Sequence, residues 1–222
     1  MREYKRITLI MGHYGSGKTN IAVNYALMLK EAYDKVVIAD LDIVNPYFRT
    51  KDSEELFKEK GIRLICSKYA NSNVDIPALP DDIYSIIDDK SLHTVIDVGG
   101  DDRGAYALGR LSKEILEENN YEMLLCINIY RPLTKDAKST IEVLKEIEAA
   151  CKMKFTGIIN NSNLGAETSV QDVLNSLPLA EEISEKTGLK LVMTTVKEDL
   201  FNELEGKIEN LFPLKLQKNL YI

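Results

Sequence analysis

The sequence predicts a three-layer α/β fold, with a mostly parallel sheet of about seven strands and helices on both faces. Three observations predict it. Strand-like runs alternate with helical ones along the whole 222 residues. Several of those runs are continuously apolar, as strands buried on both faces must be. The first of them, ITLIM, feeds a glycine-rich turn that leads straight into a helical stretch, the order of one βα unit.

Taken in order, strands are expected at 7–11, 35–39, 63–66, 94–98, 123–129, 156–160 and 190–194. Helical stretches fall between them at 17–33, 53–60, 82–89, 105–119, 135–151, 169–187 and 198–210. Gly188 follows Lys186 and Thr187 where a left-handed residue ends a helix. Pro178 lies inside the sixth helical stretch and is expected to break it, leaving 179–187 as a separate helix. Pro213 interrupts the tail, so 211–222 is expected to pack on the domain rather than form a basic amphipathic helix for a membrane. The longest irregular stretch, SKYANSNVDIPALP at 67–80, reads either as a packed surface loop or as a segment that binds or moves. No repeat or flexible linker divides the chain, so residues 1–222 are read as one domain.

Composition narrows the function classes. With 45% hydrophobic and 28% charged residues the chain reads as soluble and globular. A net charge of −7 argues against broad electrostatic binding to nucleic acid, and the stretch at 145–154 alternates sign like a solvated helix face. Cys66, Cys126 and Cys151 lie far apart with no CxxC pair, which points to reduced, mostly buried thiols in a cytoplasmic protein. Residues 1–6 are polar, unlike a signal peptide, and no apolar stretch approaches the ~20 residues needed to span a bilayer.

The turn after the first strand reads GHYGSGKT, Gly12 to Thr19, and fits the phosphate-loop pattern GxxxxGK[ST]. Glycines let successive amides curl around oxygen atoms, and the following helix turns its unpaired N–H groups and positive dipole end toward the anion. Gly12, His13, Tyr14, Gly15, Ser16, Gly17, Lys18, Thr19 and Asn20 are therefore the candidate nucleotide-binding residues. Lys18 is expected to reach the β- and γ-phosphates and to serve catalysis, while the Thr19 hydroxyl is the expected Mg²⁺ ligand.

Ligands of an open α/β sheet bind beyond the carboxyl ends of its strands, which gives weight to acids placed there. Asp97 ends the fourth strand as a Walker-B-type residue, and Asp40 ends the second as another candidate for the metal's surroundings. Asp42, two residues further on, is placed to orient or deprotonate an attacking water. Helix capping or turn formation is the alternative for each of the three.

With these residues the chain resembles the MinD/ParA/CobQ–CobB group of P-loop nucleotide-binding ATPases, the SIMIBI-type proteins that include nitrogenase iron protein. The resemblance implies a P-loop NTPase fold, ATP and Mg²⁺. It makes the DLD segment a first switch, with Asp42 serving water activation, and the segment after Asp97 a second switch whose Gly100 senses the γ-phosphate. It gives adenine recognition to Asn161, with Asn160 as the neighbouring alternative. The group's hallmark loop carries an early Lys that reaches across a dimer; here His13 and Tyr14 replace that Lys and the Gly after it, and Arg49 or Arg103 is a candidate for the missing charge.

Three functions follow from the resemblance. The first is a Mg·ATP-dependent molecular switch that hydrolyses slowly, with an unidentified protein partner and nucleotide-dependent homodimerisation, and with no nucleic acid or membrane expected. The second is an ATP-dependent ligase like CobQ/CobB or dethiobiotin synthetase, with 67–80 or Arg131 lining a pocket for a carboxylate substrate. The third is a nucleotide-binding interaction protein with negligible hydrolysis.

Overall fold

All five residues of β1 (Ile7–Met11) are buried, because this strand is flanked on both edges and covered on both faces. The structure, a computed structural model, describes residues 4–42, 50–66, 80–100 and 102–216. After β1 come α1 (Lys18–Ala32), β2 (Val36–Leu41), α2 (Glu54–Lys60), β3 (Arg63–Ile65), α3 (Ser85–Asp88), β4 (His93–Val98), α4 (Asp102–Leu108) and α5 (Ser112–Glu118). The second half adds β5 (Tyr121–Ile127), α6 (Ala137–Cys151), β6 (Gly157–Asn160), α7 (Val170–Thr187), β7 (Lys190–Lys197), α8 (Phe201–Leu204) and β8 (Leu211–Leu214).

Among the described residues the sheet has eight strands in the order β3-β2-β4-β1-β5-β6-β7-β8. Every pairing is parallel. Alternation along the strands then feeds two cores. Leu9 and Met11 face Leu108, Ile115, Leu144 and Ile183 from the helices on one side, whereas Ile10 faces Ile21, Leu29 and Phe57 from α1 and α2 on the other. This confirms the three-layer class.

The eighth strand is additional to the expected seven. Pro213 is accommodated in β8, which among the described residues pairs only with β7, so no sheet partner needs its missing N–H. Where 198–210 was expected to be helical, only a 3-10 turn at Glu198–Leu200 and the short α8 form. Asn24 of α1 ties the end of β8 down: its side-chain amide donates to the Lys215 carbonyl at 3.0 Å and accepts from the Lys215 amide at 2.9 Å.

Two helix boundaries also differ from the sequence expectation. The stretch at 105–119 is two helices, because the chain tightens after Gly109, with Leu111 N–H bonding the Leu108 carbonyl at 2.8 Å and the Ser112 hydroxyl bonding the Gly109 carbonyl. Conversely, Pro178 does not break α7, which runs unbroken through it. One helical hydrogen bond is lost there, but the buried Val173, Ala180 and Ile183 hold both halves on the sheet, and a Ser169–Asp172 capping box fixes the start. Among the described residues no helix is long and apolar enough to cross a membrane.

Beneath the sheet, Arg6 is buried and its guanidinium is fully employed. It pairs with Glu118 through two nitrogens and donates to the carbonyls of Ile86 at 2.9 Å and Leu92 at 3.2 Å. Lys90 adds a second cation to Glu118 at 2.6 Å. The two positive charges and their hydrogen bonds hold the Glu118 carboxyl below the usual carboxylate range.

Candidate nucleotide-binding site

Residues 12–17 turn from the carboxyl end of β1 into α1, and the loop carries three glycines with positive φ: Gly12 at 149°, Gly15 at 76° and Gly17 at 87°. Gly17 shows why the position tolerates no side chain, since a Cβ there would stand 2.2 Å from Nδ2 of Asn161. Asp136 caps α6 and Ser169 caps α7, whereas α1, like the shorter α2 and α5, has no side-chain cap; unlike those two it also has no acid in its first turn. Its first amides and dipole end are left for an anion.

Lys18 is buried and folds back over the loop, its Nζ donating to the His13 carbonyl at 3.2 Å. His13 turns its own ring onto the loop, with Nδ1 3.1 Å from the Tyr14 carbonyl, while Tyr14 stands exposed. Ser16 is held from below by two donors to its carbonyl, the Asn161 amide at 2.6 Å and the Cys126 thiol at 3.1 Å. Burial pushes that thiol up to about 12, so Cys126 serves the loop as a neutral donor rather than as a nucleophile. Cys151 is likewise buried and its thiol raised by burial, and Cys66 is half-buried.

The three acids converge as expected. β2 and β4 are neighbours, and their register pairs Asp40 with Asp97. Asp40 accepts the Asp42 amide at 3.0 Å, so it makes the local turn anticipated as the alternative role, one strand removed from β1 with β4 between them. Asp97 is fully buried: Oδ2 accepts the Thr50 hydroxyl at 2.8 Å, and Oδ1 has no hydrogen-bond partner among the described residues. Burial pushes the Asp97 carboxyl up; the Lys18 charge and the Thr19 and Thr50 hydroxyls oppose this, and the nearby Asp42 adds to it.

That unpartnered, buried oxygen beside Lys18 and Thr19 fits a magnesium ion carried in with phosphate oxygens. Thr19, Asp97 and Asp40 are the residues that would surround it, directly or through water. Among the described residues no group of three His, Cys, Asp or Glu side chains could hold a metal ion, so such an ion would depend on the nucleotide for much of its coordination.

Gly100 lies hard against the phosphate loop. A Cβ there would be 2.5 Å from the Tyr14 nitrogen and 2.9 Å from the His13 carbonyl carbon, so the segment after β4 touches the loop at its outer turn. Arg49 and the segment 67–79 lie outside the described residues, as does the side chain of Arg103.

Asn161 follows β6 directly. Its amide nitrogen goes to Ser16, and its carbonyl oxygen accepts the Thr195 hydroxyl. Asn160 turns the other way, onto Ser176 of α7 at 2.8 Å. Beside Asn161 a small cleft of about 70 Å³ is lined by Gly17, Asn20, Asn163, Lys197, Leu214 and Leu216 among others. The loop after β6 and the carboxyl ends of β7 and β8 thus meet the start of α1 at one place.

Sequence reasoning missed Thr50 and the β8 wall of this cleft. Thr50 carries no pattern of its own; only its bond to Asp97 reveals it. Leu214 and Leu216 read as tail residues until β8 forms.

The chain matches no known protein-family model and no curated protein. It does superimpose on solved structures. Against the cell division protein FtsY from Thermotoga maritima the TM-score is 0.58 at 20% identity over 89% of this chain. FtsY from Mycoplasma mycoides gives 0.56 at 22% over 87%, and the signal recognition particle 54 kDa protein from Aeropyrum pernix, solved with GDP, gives 0.52 at 17% over 87%. This chain spans only 64%, 61% and 42% of those three chains. At such identities the likeness concerns architecture, and the chain has the three-layer P-loop NTPase fold with an all-parallel sheet.

Proposed function

We propose that the protein is a nucleotide-dependent molecular switch of the MinD/ParA-like kind, binding a purine nucleoside triphosphate with Mg²⁺ and hydrolysing it slowly. The observation that carries the reading is the uncapped α1 start and its glycine-rich loop, set beside the buried, half-partnered Asp97. The Thr50 to Asp97 bond and the Gly100 to Tyr14 contact supply the rest, since both switch segments touch the site where a γ-phosphate would arrive. Homodimerisation with nucleotide belongs to the same reading, and solution mass measured with and without Mg·ATP tests it.

ATP is the proposed nucleotide. Asn161 makes one donor and one acceptor bond, which leaves one N–H and one lone pair for the N6 and N7 groups of adenine. Among the described residues the cleft lining holds no carboxylate to accept the N1 and N2 hydrogens of guanine. GTP is a second reading, favoured by the GDP found in a structural neighbour. Competition of ATP and GTP for a fluorescent nucleotide is expected to favour ATP, and tighter GTP would assign the second reading.

In this mechanism Lys18 neutralises the terminal phosphates, Thr19 and Asp97 hold the magnesium shell, and Asp42 aligns or deprotonates the attacking water. Asp42→Ala is expected to lose roughly 100-fold in turnover, while nucleotide affinity changes little. Single-turnover hydrolysis and equilibrium titration of the same variant separate the two, and undiminished turnover removes Asp42 from the mechanism.

A further inference from the structure

We infer that Arg131 supplies, from within the same chain, a positive charge at the rim of the phosphate site and positions the Gly15 peptide there. Arg131 lies in the connection between β5 and α6, far from the loop in sequence. Its Nε donates to the Gly15 carbonyl at 3.0 Å across a separation of 116 residues. The guanidinium lies over the glycine, since a Cβ on Gly15 would find Nε at 3.5 Å and Cζ at 3.8 Å. Among the described residues, Lys18 and Arg131 are the two cations whose side chains hydrogen-bond to the loop.

The arginine is placed by a rigid turn. Buried Asn128 accepts the Tyr130 amide through Oδ1 at 3.0 Å, accepts the Arg131 amide through its carbonyl at 3.0 Å, and donates to the Asn163 carbonyl at 3.1 Å. Tyr130 anchors to the Asp172 carbonyl at 2.9 Å, and Pro132 opens the 3-10 turn that follows. The Arg131 backbone is therefore fixed before its side chain reaches out.

Two consequences follow. Drawing the Gly15 carbonyl toward the arginine keeps a negative dipole end out of the anion cradle. The terminal nitrogens of Arg131, which make no hydrogen bond among the described residues, bring a full charge to the loop's exposed side, where His13 is occupied with the Tyr14 carbonyl. The ligand class is the terminal phosphates of a nucleoside triphosphate. Arg131 is a positioning residue, and the inference rests on the proposed nucleotide site.

The test titrates the full chain and its Arg131→Ala and Arg131→Lys variants with the N-methylanthraniloyl derivatives of ATP and ADP in Mg²⁺, at low and high salt. Arg131→Ala is expected to weaken triphosphate binding by about 10-fold, diphosphate binding by less, and to flatten the salt dependence. Arg131→Lys is expected to recover most of the loss, and melting temperatures should remain close to the parent. Unchanged affinity in Arg131→Ala, or an equal loss for both nucleotides with the salt dependence intact, overturns the inference. Absence of any binding by the parent chain would instead fail the nucleotide site itself.

Discussion

Lys18→Ala is expected to lower affinity for Mg·ATP at least about 100-fold, because the ammonium's bonds to phosphate oxygens are charge-assisted and worth roughly 1.5–3 kcal/mol each. The side chain already lies in the cradle, buried and bonded to the His13 carbonyl, so the parent spends little ordering entropy when phosphate arrives. Alanine removes that charge and leaves the uncapped helix start to hold the anion alone. Equilibrium titration with a fluorescent ATP measures the effect. Melting temperature is followed alongside, because alanine also removes the charge that offsets the burial of the Asp97 carboxylate. Retained affinity would remove the phosphate loop as the binding site, and with it the proposed function.

The second large effect is on stability. Arg6→Ala should cost roughly 3–5 kcal/mol, read as a shift of the urea midpoint at unchanged slope. It strands Glu118, whose side chain is only 13% exposed, and it leaves the Ile86 and Leu92 carbonyls without their donor. Lys90 still reaches Glu118, so the carboxylate is not wholly abandoned.

Its pH dependence has a fixed sign. The folded Glu118 carboxyl lies below its unfolded value, so its stabilisation is complete above the unfolded value and fades as pH falls through the folded one. The gap between parent and Arg6→Ala should accordingly narrow in acid. A gap that stays constant down to pH 3 would assign the cost to the two carbonyls and to packing, with the ion pair contributing nothing.

Much of the layered fold could be read from the sequence because its strands are two-sided. VVIAD and MLLCI are apolar at nearly every position, and such runs leave little choice but a covered parallel sheet. LFPL was not legible as a strand. Its proline argues against pairing unless the strand lies at an edge, and edge position is a property of the whole sheet. Pro178 shows the converse, where burial of α7 against the sheet outweighs one missing hydrogen bond.

The site divides in the same way. Lys18, Thr19 and Asp97 were legible because each has a role fixed by its offset from the glycines or from a strand end. Thr50 and Arg131 act through contacts spanning 47 and 116 residues, and no local pattern encodes such a meeting. Asn161 falls between the two. Its place after β6 was foreseen, whereas its hold on the Ser16 carbonyl emerges only when β6 is brought beside the loop.

The clasp between Asn24 and Lys215 joins residues 191 apart. During synthesis the loop, α1 and the central strands leave the ribosome long before β8 exists, so a nascent chain has a phosphate cradle but lacks the wall that Leu214 and Leu216 give to the cleft. On the proposed reading, full nucleotide affinity then requires β8 as well as the loop, and ligand capture waits until that strand has paired with β7.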